Sequence, residues 1–378
     1  MKKTLIFILL TCSFWAMAVV PAFALDEGTI SAPSAILMEV NTGKILFEKN
    51  AHERRPCASI TKVMTLLLVF EAMDSGRLGL DDMITSSAHA ASMGGSDIWL
   101  EEGESMTADD MIKATAVASA NDAAVALAEH ISGSEEAFVE QMNVRAGELG
   151  MEDTTFMNCN GLDEEGHLTS AYDVALMSRE LMKHDKIYDY TSIWLDYLRN
   201  GETQIVNTNK LLKTYTGITG LKTGTTDDAG CCMAASAERD GMTLLGVVLG
   251  CDTGKQRFVD AAALLDYGFA NYAVKELKTP ADLPGMLSVS GGMENMVDIR
   301  SDVSGSMVVD KASADEIQYA VDLPEAIDAP VEDGEVVGKI TCTLGDERRT
   351  FEIFAENAVK ETSFGQIFAR LYNSITTL

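Results

Sequence analysis

The stretch RRPCASITKVMTLLLVFEAM, residues 54–73, decides how the rest of the chain is read. Val63, Leu66, Leu67 and Phe70 recur at three- and four-residue spacing, which predicts a helix. Pro56 stiffens its approach and Gly76 can end it. Ser59 and Lys62 stand three positions apart at its start, so they share a face and can touch. An amine beside a hydroxyl at a helix N-terminus has two readings. It is a cap with a snorkelling lysine, or a nucleophile with its base.

Working outward, residues 1–24 have the features of a secretory signal. Lys2 and Lys3 open it, a mostly apolar run follows, and Ala22-Phe23-Ala24 is a small-x-small cleavage pattern. The apolar core is short for a membrane span. The mature chain is therefore expected to begin at Leu25 and to act outside the cytoplasm. Removal of Lys2 and Lys3 takes the formal charge from -29 to -31. So acidic a surface argues against nucleic acid or anionic membrane as the main partner, and an anionic substrate would need local lysines. Six cysteines remain, Cys57, Cys159, Cys231, Cys232, Cys251 and Cys342, without a CxxC pair. Small apolar packing is the default for them, and an oxidising compartment leaves a disulfide open. No HExxH, GxGxxG or P-loop occurs, so neither metal nor nucleotide cofactor is implied.

The element pattern suggests two domains. Residues 35–40 and 44–49 flank Asn41-Thr42-Gly43 as a hairpin, and residues 233–237 and 242–250 flank Arg239-Asp240-Gly241 as another. Between them lie helical stretches. Thr107 with Asp110 forms a capping box for a helix ending near Ser119. Asn121 is expected to cap the next helix, Ser134 to cap residues 135–149, and residues 171–183 and 257–272 to be helical. Strands at both ends with helices between predict one antiparallel sheet, assembled from N- and C-terminal pieces and carrying a helical insertion. Around Lys278-Thr279-Pro280 the pattern changes to short alternating segments, which predicts a small all-β domain over 276–358, a β-sandwich, after a larger domain over 25–275. Residues 359–378 carry Phe364, Ile367, Phe368, Leu371, Ile375 and Leu378 at helical spacing. This amphipathic segment fits either a membrane interface or packing on the β domain.

Two further motifs resolve the opening ambiguity. Ser119-Ala120-Asn121 sits between two predicted helices, and Lys222-Thr223-Gly224 lies in GLKTGTT just before the second hairpin. SxxK, SxN and KTG in this order form a constellation that each tripeptide alone does not. With CASITKVMT (57–65), EEGESMTADDMIKATAVASANDAAVALAE (101–129), NGLDEEGHLTSAYDVALMSREL (160–181) and GLKTGTTDDAGCCMAASA (220–237), the chain resembles the low-molecular-mass penicillin-binding proteins, serine D-alanyl-D-alanine carboxypeptidases of peptidase family S11. The resemblance spans most of residues 25–275. It implies an α/β (α+β) fold of the penicillin-binding-protein/β-lactamase type, an antiparallel sheet flanked by helices, followed by the small β domain. It also implies peptidoglycan stem peptides ending in D-Ala-D-Ala as substrate and β-lactams as covalent inhibitors, with no cofactor.

The expected chemistry follows. Ser59 is the nucleophile and Lys62 the base, provided that it is neutral; a dry pocket and the nearby Lys222 charge would lower its pKa. Ser119 relays the leaving-group proton, and Asn121 donates to the substrate backbone and accepts from Lys62. Lys222, Thr223 and Thr225 hold the terminal carboxylate, and Gly224 lets the substrate approach the strand. By family analogy the backbone N–H groups of Ser59 and Thr225 form the oxyanion hole. Where some relatives carry an arginine before KTG, this chain has Thr208 within Asn207-Thr208-Asn209-Lys210, so carboxylate affinity is expected to lean on Lys222 and Thr225. Ala120 replaces Gly or Asp with little expected effect. The five histidines are scattered and no G-x-S-x-G occurs, so a histidine triad is not the reading. The absence of an E-x-x-L-N loop disfavours a class A-like β-lactamase, and the intact nucleophile disfavours a non-catalytic penicilloyl- or wall-binding protein.

Overall fold

The computed structural model describes residues 25, 27–312, 316–366, 368 and 372. The predicted signal segment 1–24 lies outside these residues, as does most of the C-terminal helical segment. Phe364, Phe368 and Tyr372 of the latter are described, and they are exposed.

The larger unit is built on a five-stranded antiparallel sheet. Its strands are β1 (Ser34–Glu39), β2 (Ile45–Lys49), β3 (Ile218–Thr226), β4 (Gly230–Arg239) and β5 (Met242–Cys251), in the order β2-β1-β5-β4-β3. As expected, the first strand of the chain pairs with the last strand of the sheet, Ile36 opposite Val247. The two-residue turn Asp240-Gly241 closes the second hairpin, both residues having positive φ. β1 is buried along its whole length because both faces are covered. Ile36 and Met38 point into a core shared with the helical insertion, while Ala35 and Leu37 face the core under the last helix.

Six helices matter for the site: α1 (Lys62–Asp74), α2 (Ala108–Lys113), α3 (Asn121–Ser132), α4 (Glu135–Glu148), α5 (Ala171–Leu181) and α6 (Gly254–Asn271). α6 lies across β4 and β5, and α5 covers the opposite face and packs on α1. α1 departs from the amphipathic pattern. Ten of its thirteen residues are buried, so it is a central helix, apolar all round. Its apolar run is continuous for that reason, not striped. The forward half of the expected capping box is present, the Thr107 hydroxyl accepting from the Asp110 N–H, and Ser134 caps α4 through Ala137 N. Asn121 is a correction. Ala120 occupies the N-cap position of α3, and the Asn121 side chain is committed elsewhere.

The chain passes from α6 directly into β6 (Tyr272–Glu276), which pairs with β9 (Ser306–Asp310). The remaining strands are β7 (Met286–Ser290), β8 (Met296–Ser301), β10 (Gln318–Asp322), β11 (Ala326–Asp328), β12 (Val336–Leu344) and β13 (Glu347–Ala355). They form a six-stranded sheet in the order β10-β12-β13-β8-β7-β11 around a separate core that includes Leu287, Val297, Ile340 and Ile353. The small unit is thus all-β, as the alternation predicted. Lys44 in the first hairpin ties the units together, donating to the Val308 carbonyl at 3.1 Å and pairing with Glu347 at 3.8 Å.

Candidate active site

Ser59 lies in a single 3-10 turn, Ala58–Thr61, that leads into α1. The turn is entered through Ala58 at φ +52°, an unusual backbone for a non-glycine residue. It is held from two sides. The His167 ring nitrogen Nδ1 accepts from the Met157 N–H, so Nε2 carries the proton and donates to Thr61 Oγ1 at 2.7 Å. Gly161 presses against the Ala58 carbonyl, where a Cβ would come within 2.0 Å of that oxygen. His167, given no chemical role from sequence, is therefore a buttress of the nucleophile turn. Burial pulls its pKa down to about 4, which keeps the ring neutral.

Lys62 is fully buried, yet its ammonium nitrogen has three partners. Nζ lies 3.0 Å from Ser59 Oγ, 2.6 Å from Asn121 Oδ1 and 2.7 Å from the Asn160 carbonyl oxygen. Burial lowers its pKa from 10.5 to about 7. The cause is desolvation, the dry pocket expected from the sequence; the repulsion between Lys62 and Lys222 falls on Lys222, and the Asp122 carboxylate pulls Lys62 in the opposite direction. Asn160 is a partner that sequence reasoning missed. Its backbone carbonyl does the work, and a carbonyl leaves no mark in a sequence.

The middle motif is shaped by strain. After α2 the helix widens into a π turn, Ala114–Ala118, and ends on Ser119 in the left-handed region at φ +64°. A widened turn closed by a left-handed serine is the sort of backbone that persists at functional sites. It leaves Ser119 and Asn121 buried together, with Ala120 in the core beneath them. Asn121 is fixed at three atoms. Oδ1 accepts from Lys62, Nδ2 donates to the Gly94 carbonyl at 2.6 Å, and its N–H donates to the Ser96 carbonyl at 2.7 Å.

The third motif runs along β3, an edge strand of the sheet, which packs against the Ser59 turn. A Cβ on Gly224 would lie 2.6 Å from the Cys57 carbonyl and 3.0 Å from the Ser59 nitrogen. Lys222 is buried, and its pKa is pushed well down by burial and then by the charges of Lys62 and Arg257. The Thr223 hydroxyl donates to Thr208 Oγ1 at 2.7 Å, so the threonine in the arginine's place is bonded into the KTG strand. A cation approaches from another direction. Arg257 on α6 reaches Thr225 Oγ1 at 2.7 Å and the Gly224 carbonyl at 2.8 Å. Sequence reasoning missed it because its spacing from KTG carries no local signal. All six cysteines among the described residues are buried free thiols. No group of side chains suited to a metal occurs among the described residues.

A serine and a low-pKa lysine beneath the edge of an antiparallel sheet define a serine hydrolase of the penicillin-binding type. Residues 21–253 match the family described as D-alanyl-D-alanine carboxypeptidase, and residues 276–361 match the penicillin-binding protein 5, C-terminal domain. The chain is 40% identical over 348 residues to D-alanyl-D-alanine carboxypeptidase DacF of Bacillus subtilis (strain 168), covering 89% of this chain and 88% of that one. It is similar in structure to penicillin-binding protein 5 from Haemophilus influenzae, with a TM-score of 0.76 at 30% identity, covering 89% of this chain and 100% of the other. Penicillin-binding protein D2 from Listeria monocytogenes in its ampicillin-bound form gives a TM-score of 0.59 at 33% identity, covering 64% and 98%. The chain belongs to the D-alanyl-D-alanine carboxypeptidase family, peptidase family S11, and is a serine-type enzyme of that activity. The β-lactamase and non-catalytic readings find no support in these comparisons.

The contact at Gly224 yields a prediction. Gly224→Ala should push β3 and the Ser59 turn apart and slow acylation by benzylpenicillin by about 100-fold, the cost of misplacing reacting groups by about an ångström. Stopped-flow acylation, with circular dichroism to check the fold, measures this.

Proposed function

We propose that Ser59 is the acylated nucleophile and Lys62 its general base in removal of the terminal D-alanine from peptidoglycan stem peptides. The observation that carries the assignment is the 3.0 Å contact between Lys62 Nζ and Ser59 Oγ, made by a buried amine whose pKa is about 7. At neutral pH much of Lys62 is uncharged and can take a proton. Ser59 Oγ attacks the carbonyl carbon of the penultimate D-alanine as its proton passes to Lys62. Ser119 hands that proton to the leaving nitrogen, the C–N bond breaks, and D-alanine departs. Water then cleaves the Ser59 ester by the same route in reverse. Penicillin acylates the same oxygen and leaves slowly. The N–H groups of Ser59 and Thr225 receive the oxyanion, each donor being worth about 3 kcal/mol.

β3 offers its free edge to the extended peptide; Gly224, expected to admit the substrate, instead lets this strand close on the Ser59 turn. Lys222, Thr223 and Thr225 receive the terminal carboxylate. Its negative charge opposes the burial and the neighbouring Lys62 and Arg257 charges that hold the Lys222 pKa down, and so favours the protonated lysine. Asn121 orients the substrate amide. The N-terminal segment 1–24 directs export, which places the enzyme at the outer face of the cytoplasmic membrane or in the wall. The exposed Phe364, Phe368 and Tyr372 support a peripheral contact of the tail with that membrane. Among the described residues no helix is long and apolar enough to cross it.

Three outcomes test this reading. Ser59→Ala should abolish the penicilloyl mass increment of the intact protein and the release of D-alanine. An adduct on the variant would place the nucleophile elsewhere. The second-order rate constant for penicillin acylation reports the free enzyme, so it should rise with pH as Lys62 loses its proton and level off above about 7. A rate that falls across that window would reverse the role given to Lys62. Lys222→Ala should raise KM for D-Ala-D-Ala peptides by about tenfold or more, the loss of one charge-assisted contact, with a smaller change in kcat.

A further inference from the structure

The least expected surface residue of the catalytic unit is Trp99. The residue is 77% exposed, although a large aromatic ordinarily hides most of its area. Its backbone is at φ +55°, which costs a bulky residue energy and persists only where the surroundings enforce it. They do so here from both sides. The N–H groups of Ile98 and Leu100 both donate to the buried Asp122 carboxylate, at 3.1 and 3.0 Å. Arg199, bonded to Glu104 at 2.7 Å, reaches the Trp99 carbonyl. Strain and restraint are thus spent on keeping an indole in solvent.

The position of this indole connects it to the cleft. The segment that carries it is the one whose Gly94 and Ser96 carbonyls hold Asn121. Arg199 belongs to the turn of a short hairpin, Leu195–Leu198 paired with Thr203–Val206. That hairpin buries Leu198 and Ile205 in the main core and packs over the π turn that ends on Ser119. Two residues past it, Thr208 is bonded to Thr223 of the KTG strand. Its other face turns outward with Leu195 at 42%, Tyr197 at 47% and Val206 at 42% exposure; Leu195 and Val206 are cross-strand partners, and Tyr197 lies two residues along.

We propose that Trp99, with the outward face of this hairpin, is a saccharide platform that binds the glycan from which the stem peptide hangs. This rests on the functional reading above, because it extends the same cleft toward the sugar end of the same substrate. A pyranose has an apolar C–H face and a hydroxyl rim. The platform matches it with an exposed aromatic face, aliphatic side chains and a polar edge where Gln204 donates to the Tyr197 hydroxyl at 2.9 Å. Exposed Glu101, Glu102 and Glu202 lie beside these residues in sequence and disfavour an anionic occupant. The N-acetylated disaccharide is neutral, since its lactyl carboxyl is consumed in the peptide linkage.

The test compares D-alanine release from a free pentapeptide and from the same pentapeptide carried on N-acetylglucosaminyl-N-acetylmuramic acid, using the chain from Leu25 onward. The native enzyme should prefer the disaccharide form in kcat/KM. Trp99→Ala should reduce that preference about tenfold, the loss expected of one stacking contact, Trp99→Phe should keep most of it, and Tyr197→Ala should reduce it less. A second readout is optical. Trp194→Phe leaves Trp99 the sole indole of that chain, so its emission should shift on titration with the disaccharide whose lactyl carboxyl is capped as its methylamide and is therefore neutral. Equal losses on both substrates would overturn the proposal and assign Trp99 to the peptide or to support of Asn121, as would a native preference near one or an unmoved emission. Failure of the native enzyme to release D-alanine from the free pentapeptide would instead strike the functional reading, while the fluorescence titration would still judge the platform.

Discussion

The structure turns on the burial of one amine. Lys62 is removed from water at the first position of a central helix, so that the uncharged form costs little at neutral pH, while oxygen acceptors around its nitrogen fix where it stands. The acceptors come from three separate parts of the chain: a hydroxyl one helical turn back, an amide from the start of α3, and a main-chain carbonyl near residue 160. Each neighbour carries a constraint of its own. The Ser59 turn needs Ala58 at positive φ and the His167 bond, the amide needs the π turn before it, and the carbonyl needs Gly161 against Ala58. A site that asks a lysine to behave as a neutral base must over-determine everything that touches it.

What could be read from sequence divides along the range of the physics. Ser59 and Lys62 were legible because three residues on a helix put them together whatever the tertiary fold. The hairpins at 41–43 and 239–241 and the caps at Thr107 and Ser134 were legible for the same reason, since turn and cap chemistry is local. Asn121 was misread as a cap because asparagine before a helix ordinarily serves that end. A distant lysine outbid the local N–H groups for its oxygen. The three- and four-residue spacing showed α1 to be a helix but not that nearly all of its surface is buried.

The unread partners share one property: nothing near them in sequence marks where they act. The Asn160 carbonyl would be there with another side chain, and Arg257 reaches Thr225 from a helix thirty residues downstream. His167 was noticed but left idle, because only the fold brings its ring against Thr61. The missing arginine before KTG was a fair reading of the loop. It did not foresee that Thr208 would be tied to Thr223, or that positive charge would come from the opposite face of the sheet.

The sheet order also bears on assembly of the molecule. β1 sits between β2 and β5, and β5 ends at Cys251, so two hundred residues separate the first strand from its central neighbour. No N-terminal fragment short of that point can close the layer under the catalytic helix, and pairings so remote in sequence form slowly because a long loop must first be closed. A polypeptide emerging from its first residue therefore carries the nucleophile for most of its synthesis without an environment to activate it. Reactivity arrives late and all at once, when the far end of the domain docks.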